Sequence, residues 1–349
     1  MGKIRVLTVD DSALMRQVLA ILLSKDPDIE VVGSAPDPYI AREKITSLKP
    51  DVLTLDVEMP KMDGLTFLEK LMRGHPMPVV MVSSLTEDGC QTTLRALELG
   101  AVDFITKPKI DLQDGMEAIA QDLIDKVKAA AMAKVRGRTE ATSLESRLLP
   151  GSSFSMLKTT DTIIAIGAST GGTEALKAVL EVLPSHTPPI IVTQHMPERF
   201  TKTFSDRLNK LCRISVKEAE DGDSVLPGHA LIAPGSYHMT LVRSGARYSV
   251  SLNQDAPVNR HRPSVDVMFD SVARYAGANA IGVILTGMGG DGARGMLAMK
   301  QAGSFNIAQD EASCVVFGMP KEAIKLGGAD KVLPLNDIPA AILAQASRL

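Results

Sequence analysis

The sequence predicts an α/β protein built as two doubly wound, mostly parallel sheets in series, the second carrying an antiparallel hairpin. Short runs rich in Val, Ile and Leu alternate with amphipathic helical patterns, as buried parallel strands covered on both faces require. The alternation breaks once, before the middle of the chain, and then restarts. The 349 residues suit two domains of ordinary size.

In the first half, strands are expected at 4–9, 29–34, 51–55, 78–83 and 101–105. Helical patterns fall between and after them at 13–24, 38–48, 65–73, 91–99 and 112–135. Five such repeats predict a five-stranded parallel sheet whose ligands sit at the carboxyl ends of the strands. The last helix runs out into Lys134, Arg136 and Arg138, then into Ser, Thr, Gly and Pro without periodicity. A structureless stretch this long is uncommon inside a compact domain, so the expected division is a first domain at 1–128, a linker at 129–160 and a second domain at 161–349.

In the second half, strands are expected at 162–166, 189–193, 214–218, 230–233, 238–242, 248–252, 280–285 and 305–308. Helices are expected at 173–182, 200–211, 264–276, 292–302, 320–326 and 338–347. The two strands flanking Ser244-Gly245 form the hairpin.

Composition narrows the function classes. A net charge of −3 gives no whole-chain case for nucleic acid or a membrane surface. Three scattered cysteines, Cys90, Cys212 and Cys314, form no C-x-x-C pair and argue against disulfides or a zinc site. The N-terminus enters a strand directly, without the apolar segment of a signal peptide, and no apolar run would span a bilayer. A soluble, cytoplasmic protein without membrane insertion is expected.

Asp10, Asp11 and Asp56 stand at the carboxyl ends of strands expected to be neighbours. Three carboxylates brought together repel one another unless a divalent cation holds them, and an all-oxygen site suits Mg²⁺. Ser83 ends the fourth strand and Lys107 follows the fifth, so a hydroxyl and an ammonium are available for phosphoryl oxygens. Any one Asp is more often a solvated loop residue or a helix cap, and Asp11 before Ala13 fits a cap well. The set is different, because five residues of the right types fall at matching strand ends.

The pieces Val9-Asp10-Asp11-Ser12, Leu55-Asp56-Val57-Glu58-Met59-Pro60, Met62-Asp63-Gly64, Ser83-Ser84 and Lys107-Pro108 resemble the response-regulator receiver domain. The resemblance implies a flavodoxin-like sheet and phosphorylation of Asp56 by a histidine kinase. It also implies Mg²⁺ bound by Asp10, Asp11 and Asp56 with the backbone carbonyl of Glu58, a phosphoryl group read by Ser83 and Lys107, and an aromatic switch at Phe104.

The second constellation is nucleophilic. Ser169 lies in Gly167-Ala168-Ser169-Thr170-Gly171-Gly172, between an expected strand and helix. Gly167-x-Ser169-x-Gly171 has the spacing of a nucleophile elbow. Amides at the following helix start can stabilise an oxyanion. His195 ends the next strand as a candidate base, and Asp291 in Thr286-Gly287-Met288-Gly289-Gly290-Asp291-Gly292 follows a later strand as its orienting acid. The order Ser, His, Asp differs from that of α/β-hydrolases, so the elbow does not imply that fold. The Gly167–Gly172 loop lacks the G-x-G-x-x-G spacing of a dinucleotide-binding turn, with no acid at the end of the next strand, and there is no P-loop G-K-[ST]. Singly, Ser169 and Asp291 read as helix caps and His195 as a structural histidine; together at three strand ends they point to catalysis. His75, His186, His229, His238 and His261 compete for the base role. The segment around His261, Pro257 to Ser264, reads equally as an anion-binding stretch or as a loop ending in a Ser264 cap.

The segments 167–174, 193–197, 217–223, 257–267, 286–292 and 312–320 resemble the catalytic domain of the chemotaxis protein-glutamate methylesterases. The resemblance implies a Ser169–His195–Asp291 triad with Thr170 and Met288 in the oxyanion environment. It implies demethylation of glutamate methyl esters, releasing methanol, and deamidation of glutamines on chemoreceptor cytoplasmic helices, with no cofactor for that chemistry. The partners it implies are the chemoreceptor cytoplasmic domain and the chemotaxis histidine kinase. With both sites in one chain, the receiver is expected to cover the catalytic cleft until Asp56 is phosphorylated. A receiver joined to a transcriptional output domain predicts a basic face or a helix-turn-helix, which the second half lacks. A receiver-controlled amidase or peptidase using the same triad is separated only by the family resemblance.

Overall fold

The computed structural model describes residues 2–59, 62–108, 116–135 and 162–349. The chain divides into two compact units, 1–141 and 142–349.

The first unit runs β1 (Ile4–Val9), α1 (Ala13–Leu23), β2 (Ile29–Ala35), α2 (Pro38–Leu48), β3 (Val52–Asp56), α3 (Gly64–Gly74), β4 (Val79–Ser83), α4 (Glu87–Glu98), β5 (Asp103–Thr106) and α5 (Met116–Met132). The five strands form one parallel sheet in the order β2-β1-β3-β4-β5. β3 and β4 are buried at every position, which is why their sequences are continuous apolar runs rather than alternating ones. Each Leu or Val so buried contributes about 1.5–3 kcal/mol relative to exposure, and this holds the strand ends on a rigid platform. Ser12, Asp37, Asp63 and Thr86 cap the helices that follow, their side chains accepting from amides of the first turn. The cap of α1 is therefore Ser12, which leaves the Asp11 side chain available for other chemistry. α4 begins at Glu87, ahead of the expected 91, because Thr86 accepts from Gly89 N and closes a polar first turn with no apolar stripe. Pro60 of the receiver-like motif, the expected start of the fifth helix near 112 and the linker beyond 135 lie outside the described residues.

The second unit runs β6 (Ile163–Ala168), α6 (Gly172–Leu180), β7 (Ile190–Gln194), α7 (Phe200–Leu211), β8 (Ser215–Glu218), β9 (His229–Ile232), β10 (His238–Ser244), β11 (Arg247–Asn253), α8 (Val265–Tyr275), β12 (Ala280–Ile284), α9 (Ala293–Gln301), β13 (Phe305–Gln309), α10 (Met319–Lys325), β14 (Lys331–Leu333) and α11 (Ile338–Ala346). Seven strands form a parallel sheet in the order β14-β13-β12-β6-β7-β9-β8. β10 and β11 pair antiparallel as the expected hairpin and bury Met239, Leu241 and Val250 with Met268, Phe269 and Val272 of α8. β6 is central, with β7 on one side and β12 on the other. The chain thus leaves β6 in one direction and returns on its far flank. That is the switch point where open α/β sheets place their ligands, at the carboxyl ends of the strands.

Candidate active site

Three strand ends meet at that switch point. Ser169 follows β6 directly and is half-buried. Its amide donates to Thr286 O just after β12, at 3.0 Å, and its carbonyl accepts from Gly172 N at 2.6 Å, which forms the tight turn into α6. The turn needs a left-handed residue, supplied by Gly171 at φ 75°. On the β12 side, a Cβ on Gly287 would strike Met319 Sδ and come within 2.7 Å of Ser169 Cβ, so only glycine lets that loop approach the nucleophile.

His195 follows β7. Its Nδ1 lies 3.1 Å from Ser169 Oγ and its Nε2 lies 2.7 Å from Asp291 Oδ2. Ionised Asp291 can only accept, so the imidazole proton sits on Nε2 and the Nδ1 lone pair faces the serine hydroxyl. The structure thus brings the Ser169 hydroxyl, the His195 ring and the Asp291 carboxylate into one hydrogen-bonded chain.

Asp291 is 2% exposed. Burial alone would raise its pKa, but the hydrogen bond and charge of His195, with hydrogen bonds from Asn259 and Ser264, outweigh it and hold the carboxyl far below the usual range. Oδ2 also accepts from Val265 N at 2.7 Å. Oδ1 accepts from Asn259 Nδ2 at 2.7 Å, Ser264 Oγ at 2.7 Å and Asp266 N at 3.2 Å. The helix-cap readings fail here for a structural reason. α9 is preceded by Gly292 and α6 by Gly171, so neither Asp291 nor Ser169 occupies a cap position. Ser264 does precede α8, but its hydroxyl goes to Asp291 rather than to the helix amides.

His261 lies beside the His195 ring rather than in the chain from Ser169 to Asp291. Its ring stacks on His195 with centroids 3.7 Å apart and planes 15° from parallel. Thr170 is buried beside the nucleophile and its carbonyl accepts from Thr286 Oγ1 at 3.0 Å. Met288 is half-buried on the loop whose Gly287 abuts Ser169. Sequence reasoning missed Gln194, whose Nε2 donates to Ser169 O at 3.0 Å and to His195 O at 3.3 Å. An amide side chain at the end of an otherwise apolar strand was the available signal.

In the first unit, Asp10, Asp11 and Asp56 each offer a carboxylate oxygen, all within 4.8 Å of one another. Asp10 and Asp56 are fully buried and Asp11 is exposed. Lys107 Nζ lies 2.8 Å from Asp56 Oδ2 and 3.9 Å from Asp10 Oδ2. Burial, then the neighbouring Asp56, pushes the Asp10 carboxyl up to about 6. Burial also raises Asp56, although Lys107 opposes it. Asp10 Oδ2 is buried with no hydrogen-bond partner among the described residues. A buried, acceptor-only cluster with an orphaned oxygen fits a hard divalent cation such as Mg²⁺. Glu58 N donates to Asp56 Oδ1 at 3.3 Å, and the Glu58 side chain turns outward to Ser84 Oγ at 3.5 Å. Ser83 Oγ is turned toward α4, 3.2 Å from Gly89 O and 2.6 Å from Thr93 Oγ1. Phe104 is buried, with Lys126 Nζ over its ring at 5.2 Å.

The family model described as CheB methylesterase matches residues 164–342, and that of the response regulator receiver domain matches 6–120. A protein-glutamate methylesterase/protein-glutamine glutaminase of Pectobacterium atrosepticum is 59% identical over 99% of this chain and 98% of its own. The chain belongs to the CheB methylesterase family. A relative of the same name from Thiobacillus denitrificans is 60% identical over 98% of this chain and 96% of its own. The crystal structure of the Thermotoga maritima CheB methylesterase catalytic domain superposes with a TM-score of 0.52 at 43% identity, over 53% of this chain and 98% of that one. The matched segments contain both constellations, Asp10 to Lys107 in one and Ser169 to Asp291 in the other. No helix among the described residues is long and apolar enough to cross a membrane.

Proposed function

We propose that this chain hydrolyses methyl esters of glutamate side chains on chemoreceptor cytoplasmic helices and deamidates glutamines there, with phosphorylation of Asp56 raising the activity. The observation that carries the chemistry is the hydrogen-bonded chain from Ser169 Oγ through His195 to Asp291. The relatives' names supply the substrate class.

Ser169 Oγ attacks the acyl carbon while Nδ1 of His195 takes its proton. The imidazolium that forms is held by the Asp291 carboxylate, whose dense donor set keeps it ionised. The oxyanion develops beside Thr170 and Met288, next to the first turn of α6. His195 gives the proton to the departing methoxy oxygen or amide nitrogen, which leaves as methanol or ammonia. Water then attacks the acyl-enzyme by the same route, with His195 again as base. An ester and a primary amide differ only in the leaving group, so one triad serves both.

In the receiver unit, Asp10, Asp11 and Asp56, with the Glu58 carbonyl, would hold Mg²⁺, which supplies charge neutralisation for phosphoryl transfer. Asp56 is the acceptor from the chemotaxis histidine kinase, and Lys107, already on its carboxylate, stays with the phosphoryl oxygens. Ser83 joins them by leaving Gly89 and Thr93. The unphosphorylated receiver restrains the second unit. The first function ends with α5 at Met132, past the expected 128, and the second begins with β6 at Ile163.

The deciding experiment is methanol release from methylated receptor membranes, with and without phosphodonor. Ser169→Ala is expected to abolish release while Asp56 still takes up phosphate. Full activity in that variant removes the serine mechanism, and equal activity of Asp56→Asn and phosphorylated parent removes the regulation.

A further inference from the structure

Asn259 lies between β11 and α8 with a left-handed backbone, φ 51°, which Asn tolerates better than most side chains. Its amide spans two buried carboxylates. Nδ2 is 2.8 Å from Asp266 Oδ2 and 2.7 Å from Asp291 Oδ1. Asp266 and Asp291 are only 3% and 2% exposed. An amide NH₂ carries two protons, so each carboxylate receives one. The Asn259 carbonyl accepts from Arg294 Nη2 at 3.2 Å, and Arg294 Nε stands 3.6 Å from Asp266 Oδ2. Asp266 Oδ1 is taken by Gly295 N at 2.7 Å.

Two buried carboxylates that share one donor repel each other, and without that donor each loses a hydrogen bond and is freer to rotate away. A neutral donor with two protons satisfies both and adds no charge that would compete with the imidazolium at His195. With Oδ1 gripped by Asn259, Ser264 and the Asp266 amide, Oδ2 has one orientation, toward His195 Nε2. Two residues further on, the same loop stacks His261 on the other face of the problem, the ring of His195 itself.

We propose that Asn259 is a positioning residue for the hydrolysis: its amide bridges Asp266 and Asp291 and fixes the Asp291 carboxylate against His195. The proposal rests on the triad reading above and deepens it. The charged and titratable groups around the bridge include Asp266, Asp270, Asp291, Arg294, His195 and His261.

The test is steady-state methanol release by the full chain carrying Asn259→Gly, Asn259→Asp or Ser169→Ala, each with its thermal midpoint. Asn259→Gly keeps the left-handed backbone and removes the donor. Its kcat is expected to fall about tenfold at unchanged KM, as for one lost charge-assisted hydrogen bond. Asn259→Asp keeps the shape, tolerates the same backbone and still accepts from Arg294, but turns a third carboxylate toward two others. Its kcat is expected to fall about a hundredfold. A role in shape alone gives the opposite order, with the Asp variant near the parent and the Gly variant damaged. An Asp variant at parental kcat, a folded Gly variant at parental kcat, or a loss confined to KM overturns the proposal. Ser169→Ala separates the layers. If it retains activity, the triad itself fails; if it is inactive while both Asn259 variants match the parent, only the positioning role fails.

Discussion

Asp291 and Asp10 are both almost fully buried carboxylates, yet their pKa values move in opposite directions. Asp291 receives hydrogen bonds from His195, Asn259, Ser264 and the amides of Val265 and Asp266. Asp10 has the Ser12 amide on Oδ1 and no hydrogen bond on Oδ2 among the described residues, with Asp56 as an anionic neighbour. Burial raises the carboxyl in both places; the supply of donors decides the outcome. A saturated carboxylate is a permanent charge, suited to holding an imidazolium. An undersupplied one favours positive charge beside it, which suits a divalent cation.

The largest expected effect tests the saturated side. Asp291→Asn removes the fixed charge and meets five donors with a side chain that is half donor, so kcat should fall on the order of 10⁴-fold. Methanol release within tenfold of the parent would mean that the donor cage serves folding rather than catalysis. Next comes the undersupplied side. The Asp10 carboxyl is raised from 3.8 to about 6, so the folded chain binds its proton more tightly than the unfolded chain does. Its penalty is absent at pH below 3.8, grows up to about 6 and is complete above that. Asp10→Asn should therefore stabilise the metal-free receiver at pH 7 by about 2–3 kcal/mol and flatten its stability between pH 4 and 6. Denaturation in chelator at several pH values reads this, and a variant no more stable than the parent at pH 7 breaks the comparison.

A smaller effect tests whether the platform sets the geometry. Gly287→Ala forces a methyl group against Met319 and Ser169. It should lower kcat about a hundredfold and destabilise by about 1–3 kcal/mol, while phosphate uptake at Asp56 stays parental. Kinetics unchanged in the variant would show that the elbow has room the structure does not contain. The smallest is Thr93→Val, which deletes the hydroxyl 2.6 Å from Ser83 Oγ and should cost about 1 kcal/mol of receiver stability. No measurable change in chemical denaturation would mean that Ser83 finds an equal partner elsewhere.

The fold was largely legible because its strands are apolar runs with clear ends, and the functional side chains sit at those ends. β14 was not legible: Lys331, Val332 and Leu333 form a three-residue edge strand, two of them exposed, with no buried face to impose a pattern. Ser169, His195 and Asp291 could be paired in advance because each follows a strand of one parallel sheet. Asn259, Ser264 and Asp266 could not be linked to Asp291, because they lie on a connection and a helix start whose approach is set by tertiary packing rather than by periodicity. Ser83 was placed at the correct strand end, but its present hydrogen bonds to α4 depend on Thr93, whose local sequence reads as an ordinary helix position.

The central strand β6 takes one neighbour from the next strand in the chain, β7, and the other from β12 far downstream, and His195 meets an acid 96 positions away. No local fragment can contain the working apparatus. A closure of that span comes late in assembly, since distant pairings must wait for the intervening chain to be ordered. During refolding, catalytic turnover should therefore return after helical signal has recovered, making the reaction itself a stringent gauge of completed folding.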